Sequence, residues 1–142
     1  MDKATTAQNY FLEGYACSQS VLMAYADDLG IDMETAKKIS STFGGGMGRL
    51  RKTCGALTGA FMVLGMKYGN TYPKDMKTKL SAYEKVRKLA EEFEKLHGTT
   101  ECKELLIKYA DPAAVEKREH HKIICCSLVK DTIDILESII KK

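Results

Sequence analysis

The amino-acid sequence predicts an all-α protein: a single helical domain over residues 1–142, a bundle of six or seven helices around a central apolar helix at about 54–68. Three observations carry that expectation. Apolar residues recur at helical spacing along the chain, and no stretch alternates convincingly with a period of two. Only two prolines, Pro73 and Pro112, interrupt the pattern. No internal repeat, low-complexity segment or composition shift marks a boundary, and a chain of this length can bury one core.

Thr5 or Thr6 can cap a short first helix carrying Tyr10 and Phe11, which Gly14 ends. A second helix follows Cys17, with Val21, Leu22, Tyr25 and Leu29 at helical spacing and Gly30 as its C-terminal stop. Asp32 caps a third helix, where Met33, Ala36, Ile39 and Phe43 share one face and Glu34 suits the first turn. Gly44 ends it. The fourth helix, from about Cys54 to Tyr68, is apolar nearly all round, with Thr53 as its expected N-cap. Gly55 and Gly59 beside Ala56 and Ala60 leave one side almost bare, open to another backbone or to a cofactor.

After Pro73 a long amphipathic helix runs to about His97, striped by Met76, Leu80, Tyr83, Val86, Ala90, Phe93 and Leu96. Its charge runs, such as Glu91-Glu92, read as a solvated face, and His97 suits a helix end as a weak cation. Gly98-Thr99-Thr100 breaks this helix and caps a short one with Cys102, Leu105, Leu106 and Tyr109. A polar connector from Asp111-Pro112 through Arg118 to His121 follows. The last helix carries Leu128, Val129, Ile133, Leu136 and Ile140 on one face, so its expected start is near Cys125-Cys126.

The totals exclude several functions. A net charge of +3, with lysines spread along helices and no tryptophan, argues against nucleic acid. The start lacks the basic and apolar regions of a signal peptide, and the longest apolar run, Ala56–Met66, falls short of a membrane span. A cytoplasmic protein without a membrane partner is the expectation. There, five cysteines point to metal binding, redox chemistry or buried thiols rather than a disulfide scaffold.

The chemistry concentrates between Phe43 and Gly59. Gly44, Gly45, Gly46 and Gly48 form a loop that packing alone does not explain, because glycine offers no side chain and costs entropy to order. Arg49, Arg51 and Lys52 follow, then Cys54 at the start of the apolar helix. A cysteine at a helix N-terminus beside cations is a candidate low-pKa thiolate or metal ligand. The glycines do not spell G-x-G-x-x-G. Gly46–Thr53 ends like a Walker A loop but has Arg51 at the glycine position, and no strand precedes it. An anion pocket, or room for a cofactor beside Cys54, fits better than a nucleotide site.

Cys17, Cys54, Cys102 and Cys125 each fall near an expected helix start. Apart from adjacent Cys125-Cys126 they are singletons, which disfavours a zinc ribbon or knuckle, and no Cys-x-x-Cys-His offers a haem attachment. The bland alternative is that they are small hydrophobes simply buried. His120 and His121 precede the last pair and read more simply as solvent-facing than as ligands.

Cys17 within Gly14-Tyr-Ala-Cys-Ser-Gln-Ser-Val, the Gly-Gly-Gly-Met-Gly loop, Cys54-Gly55-Ala56-Leu57-Thr58-Gly59 and the lone Cys102 and Cys125 resemble a bacterial and archaeal family. It is the redox-active family named for its C-GCAxxG-C-C cysteine pattern. The likeness covers nearly the whole chain and implies a cysteine-centred redox role, without naming a reaction. By position it implies Cys17, Cys54, Cys102 and Cys125 as the functional thiols, with Cys126 as the alternative to Cys125.

Three functions follow as expectations. In the first, Cys17, Cys54, Cys102 and Cys125 ligate an iron–sulfur cluster or another metal, for electron transfer or redox sensing. The glycines of the loop, Gly55, Gly59 and Arg49 would surround that cofactor. In the second the chain is a thiol–disulfide oxidoreductase with Cys54 as attacking thiolate, its partner a redox protein, a small-molecule thiol or another electron donor. In the third it is a non-enzymatic helical module whose Gly-Ala face binds a partner. A homodimer through the long helix is left open.

Overall fold

The computed structural model describes residues 1–110 and 117–141, with side chains described outside 111–120. Among the described residues it has seven helices and no strand: α1 Lys3–Glu13, α2 Cys17–Leu29, α3 Met33–Ser40, α4 Gly55–Tyr68, α5 Met76–His97, α6 Cys102–Lys108 and α7 Lys117–Ile140. A 3₁₀ turn, Ser41–Phe43, and a glycine turn, Gly44–Met47, lie between α3 and α4. The all-α single domain expected from periodicity is what forms.

Local chemistry fixes most helix ends, not always through the expected residue. Asp2, rather than Thr5 or Thr6, caps α1 by accepting the Thr5 N–H at 2.7 Å, and Gly14 stops the helix at φ 117°. Asp32 caps α3 as expected, accepting the Thr35 N–H at 2.9 Å. That helix stops at Ser40, and Ile39 is 56% exposed rather than part of the inner face. Asp75 caps α5 through the Thr78 N–H. Cys54, not Thr53, occupies the N-cap position of α4, and Glu101, not Thr99 or Thr100, that of α6.

The closest helix pair is α2 with α4. A Cβ added at Gly59 would stand 2.7 Å from the Ser18 carbonyl oxygen and 3.0 Å from Val21 Cβ. The bare side of α4 is therefore filled by the backbone of α2; Gly59 borders no cofactor. Residues 55–60 of α4 are buried, whereas Gly65, Met66 and Lys67 in its last turns are exposed. Leu57, Val63 and Leu64 are wholly shielded, each worth about 1.5–3 kcal/mol of apolar burial. Helix α4 also touches α5 and α7, while α1 lies between α2 and α7.

The inner face of α5 differs from the expected stripe. Ala82, Leu89, Phe93 and His97 face inward, with Val86 partly buried. Met76, Leu80, Tyr83 and Leu96 are about half exposed or more. His97 is a buried anchor rather than a surface cation. Its Nδ1 lies 2.6 Å from the Tyr109 hydroxyl and its Nε2 3.1 Å from Asp131 Oδ2, which ties α5 to α6 and α7. A carboxylate only accepts, so Nε2 donates to Asp131.

Helix α7 begins at Lys117, well before the expected start near Cys125, so Arg118–His121 of the supposed connector are helical. Residues 111–116, where the connector begins, lie outside the described residues. Leu128, Val129, Ile133 and Leu136 are buried as expected. Among the described residues no helix is long and apolar enough to cross a membrane.

Candidate functional site

The glycine loop folds as a left-handed turn. Gly45, Gly46, Met47, Gly48, Arg49 and Arg51 all have φ between 60° and 67°. Glycine takes that conformation freely, but Met47, Arg49 and Arg51 each incur roughly 1–3 kcal/mol there. Hydrogen bonds close the turn on itself: Arg51 N–H to Gly45 C=O at 3.3 Å and Lys52 N–H to Gly46 C=O at 2.9 Å. Its exit is clamped to the start of α6. Cys54 N–H donates to Thr100 C=O at 2.9 Å, and Cys102 N–H to Lys52 C=O at 2.6 Å. Thr53, freed of capping, bridges Glu101. Strain in the turn is thus held by backbone pairing on either side of two cysteines.

Glycine is needed where the sulfurs sit. A Cβ on Gly46 would come within 2.7 Å of both Cys102 Cβ and Arg51 Cα, and one on Gly55 would collide with Cys17 Sγ. Cys17 is the first residue of α2, Cys54 directly precedes α4, and Cys102 is the first residue of α6. Cys125 differs: it lies inside α7, two turns from its start, so no helix N-terminus acts on it.

Thiols from four elements are linked by electrostatic effects of one on the next. Cys17 and Cys125 act on Cys54, Cys17 and Cys102 act on Cys125, and Cys102 acts on Cys17, each negative charge opposing the next ionisation. Cys126 also acts on its neighbour Cys125, while its own thiol is raised by burial and lowered by the Gln8 side chain. The carbonyl of Cys126 accepts from Gln8 Nε2 at 3.1 Å. All five cysteines are free thiols.

Burial dominates their acidity. It raises Cys54 well above the ordinary thiol value, although the nearby Ala56 and Leu57 N–H groups of its helix favour the thiolate. The expected low-pKa Cys54 is therefore corrected: the helix end pulls the right way, but desolvation outweighs it. Burial also raises Cys17, against a hydrogen bond from the Gly45 N–H, and pushes Cys125 up to about 12. Among the described residues, the direct contact between a cation and a thiol is elsewhere. Arg51 Nη1 lies 3.6 Å from Cys102 Sγ.

Cys17 and Cys125 face an open pocket of ≈ 1000 Å³, with Gly44, Gly45 and Gly48 as one wall and Arg49, Arg51 and Lys122 beside them. His121, half-buried and not solvent-facing as expected, also lines it, whereas the side chain of His120 is outside the described residues. Cys54 and Cys102 lie behind this opening, Gly46 is buried against Cys102, and Gly55 against Cys17. Among the described residues no three His, Cys, Asp or Glu side chains stand together as a metal site, so the thiols as placed do not make a ready ligand set.

Sequence reasoning named Cys125 but not the other α7 residues of this pocket. His121 and Lys122 lie four and three residues before Cys125, a signal readable only once the helix is extended upstream of it.

No curated protein and no solved structure matched the chain. A family model did, over residues 15–139, which include all five cysteines and the glycine turn. The chain therefore belongs to the family described as "Putative redox-active protein (C_GCAxxG_C_C)".

Proposed function

We propose that the four converging cysteines form a single redox centre that works by thiol–disulfide exchange. Cys17 and Cys125 are the exchanging pair, with Cys54 and Cys102 behind them. The observation that carries this reading is that Cys17 and Cys125 both line one accessible pocket, close enough that Cys17 raises the thiol of Cys125. Oxidation joins their sulfurs and releases two protons and two electrons, which reduce an incoming disulfide to two thiols. Cys54, buried and absent from the pocket lining, is a supporting thiol rather than the attacking one. The partner is a small-molecule thiol or a redox protein, and the chain acts in a reducing compartment such as the cytoplasm.

A second reading keeps an iron–sulfur cluster or another thiolate-bound metal on Cys17, Cys54, Cys102 and Cys125. The mutual opposition of these thiols favours it, because a shared cation relieves the repulsion among neighbouring thiolates. Against it, the described side chains would have to move together before they could ligate.

Anaerobic protein exposed to a disulfide, then assayed for free thiols and for iron, separates the two. Loss of two thiols in the iron-free protein, abolished by Cys17→Ser or Cys125→Ser, supports exchange. Stoichiometric iron with visible absorption and no loss of thiols overturns exchange in favour of the metal.

A further inference from the structure

We propose that the pocket in front of Cys17 and Cys125 is a binding site for a small anionic disulfide, its carboxylates held by Arg49, Arg51 and Lys122. This rests on the thiol–disulfide reading above and adds the substrate class.

Several lysines on other faces pair with carboxylates on the same helix, as Lys88 does with Glu92 and Lys130 with Asp134. Arg49, Arg51 and Lys122 have no such ion pair among the described residues, and no Asp or Glu lines the pocket they border. Among the described residues these three cations line the recess with no carboxylate beside them, an arrangement that calls for an anion from outside. Arg49 and Arg51 are held there in left-handed backbone, a conformation that glycine would adopt without cost.

The volume points to a small molecule. A recess of ≈ 1000 Å³ suits a ligand of peptide-fragment size, and it is a pocket rather than the extended basic face a nucleic acid would need. The two thiols within it define the reacting group. As Cys125 gives up its proton, its sulfur attacks one sulfur of the ligand; the ligand's S–S bond breaks, and the departing half takes up that proton. Cys17 then attacks the mixed disulfide, its own proton goes to the second half, and the protein is left with a Cys17–Cys125 bond. The ligand has gained two electrons and the protein has lost two. The three cations offset both the carboxylates and the charge that develops on the leaving sulfur.

The test titrates S-methylglutathione, which has carboxylates but neither thiol nor disulfide, into the reduced full chain by calorimetry. The comparison is with the Arg49→Gly, Lys122→Ala double variant, in which glycine relieves the left-handed backbone; circular dichroism checks its fold. Lys122→Ala alone, at an exposed position, serves as the second variant. The proposal expects binding to the unaltered chain, weakened at least ~10-fold in the double variant and weakened by added salt. No binding at millimolar probe, or equal binding in all variants, overturns it. In parallel, uncharged 2-hydroxyethyl disulfide tests the exchange chemistry alone. Oxidation of Cys17 and Cys125 by it without S-methylglutathione binding sinks the anion site and leaves exchange standing. Binding of S-methylglutathione with no oxidation by either 2-hydroxyethyl or glutathione disulfide overturns the disulfide as substrate.

Discussion

Cys125 is the residue on which burial and reactivity pull hardest against each other. With its thiol pushed up to about 12 by burial, on the order of one molecule in 10⁵ carries the thiolate at neutral pH. Its alkylation by iodoacetamide should climb about tenfold per pH unit past pH 9 and on toward about 12, where an ordinary thiol has already levelled off. A profile that flattens near pH 9 would contradict the burial described for it. The same shifts set the pH dependence of stability. Thiols whose folded values are raised hold more protons folded than unfolded, so their contribution is complete below the ordinary thiol value and is lost as pH rises. Melting temperatures should therefore fall between about pH 9 and 12 through Cys17, Cys54 and Cys125. A melting temperature that stays level across that window removes this account of their burial.

At the scale of elements, contacts between helices depend on what is missing as much as on what is present. Gly55→Ala would drive a methyl group into Cys17 Sγ and to 3.2 Å from the Phe43 carbonyl oxygen, and should cost about 1–3 kcal/mol in denaturant unfolding. Gly65→Ala, ten residues along the same helix, meets nothing within 4 Å and should stabilise by about 0.5–1 kcal/mol. Equal effects at the two sites would show that α4 does not pack on α2 through its glycines. His97→Ala should cost about 2–4 kcal/mol, because it removes the packing on Phe93 and leaves Tyr109 and Asp131 without the ring between them. A loss within the scatter of surface substitutions would return His97 to the role of a weak cation at a helix end that its position suggested.

These elements also show what the chain discloses before it is folded. The glycine-to-cysteine stretch was legible because four glycines in five positions have no packing explanation, and the glycines at 14, 30 and 98 were legible as helix ends, all three of which are left-handed. The inner face of α5 was not. Met76, Leu80 and Tyr83 have helical spacing, yet a helix can satisfy that spacing on a face with no neighbour. The buried face instead uses Ala82 for close approach and His97 for hydrogen bonding, and hydrophobicity alone flags neither. The start of α7 was hidden for a related reason: Lys117–Lys122 is polar, and polarity does not distinguish an exposed helical turn from a connector. The acidity of Cys54 was misjudged because sequence displays the helix end and the nearby cations but not the depth of burial.

Across the whole molecule, separate parts of the chain meet at one place. Helices α2 and α7 bring Cys17 and Cys125 to one cationic pocket walled by the strained glycine turn, and Cys54 and Cys102, at the starts of α4 and α6, are buried outside its lining. Most of the remaining helical surface serves to keep that junction in register: α2 lies on α4, and α5 braces α4 and α7. The most direct test of this convergence is a peptide map of the full chain after mild disulfide oxidation, with the remaining thiols alkylated before digestion. The account predicts a mass loss of two hydrogens and a single bond joining the Cys17 and Cys125 peptides, with Cys126 alkylated. A bond at Cys126, or five thiols alkylated with no bond formed, would contradict it.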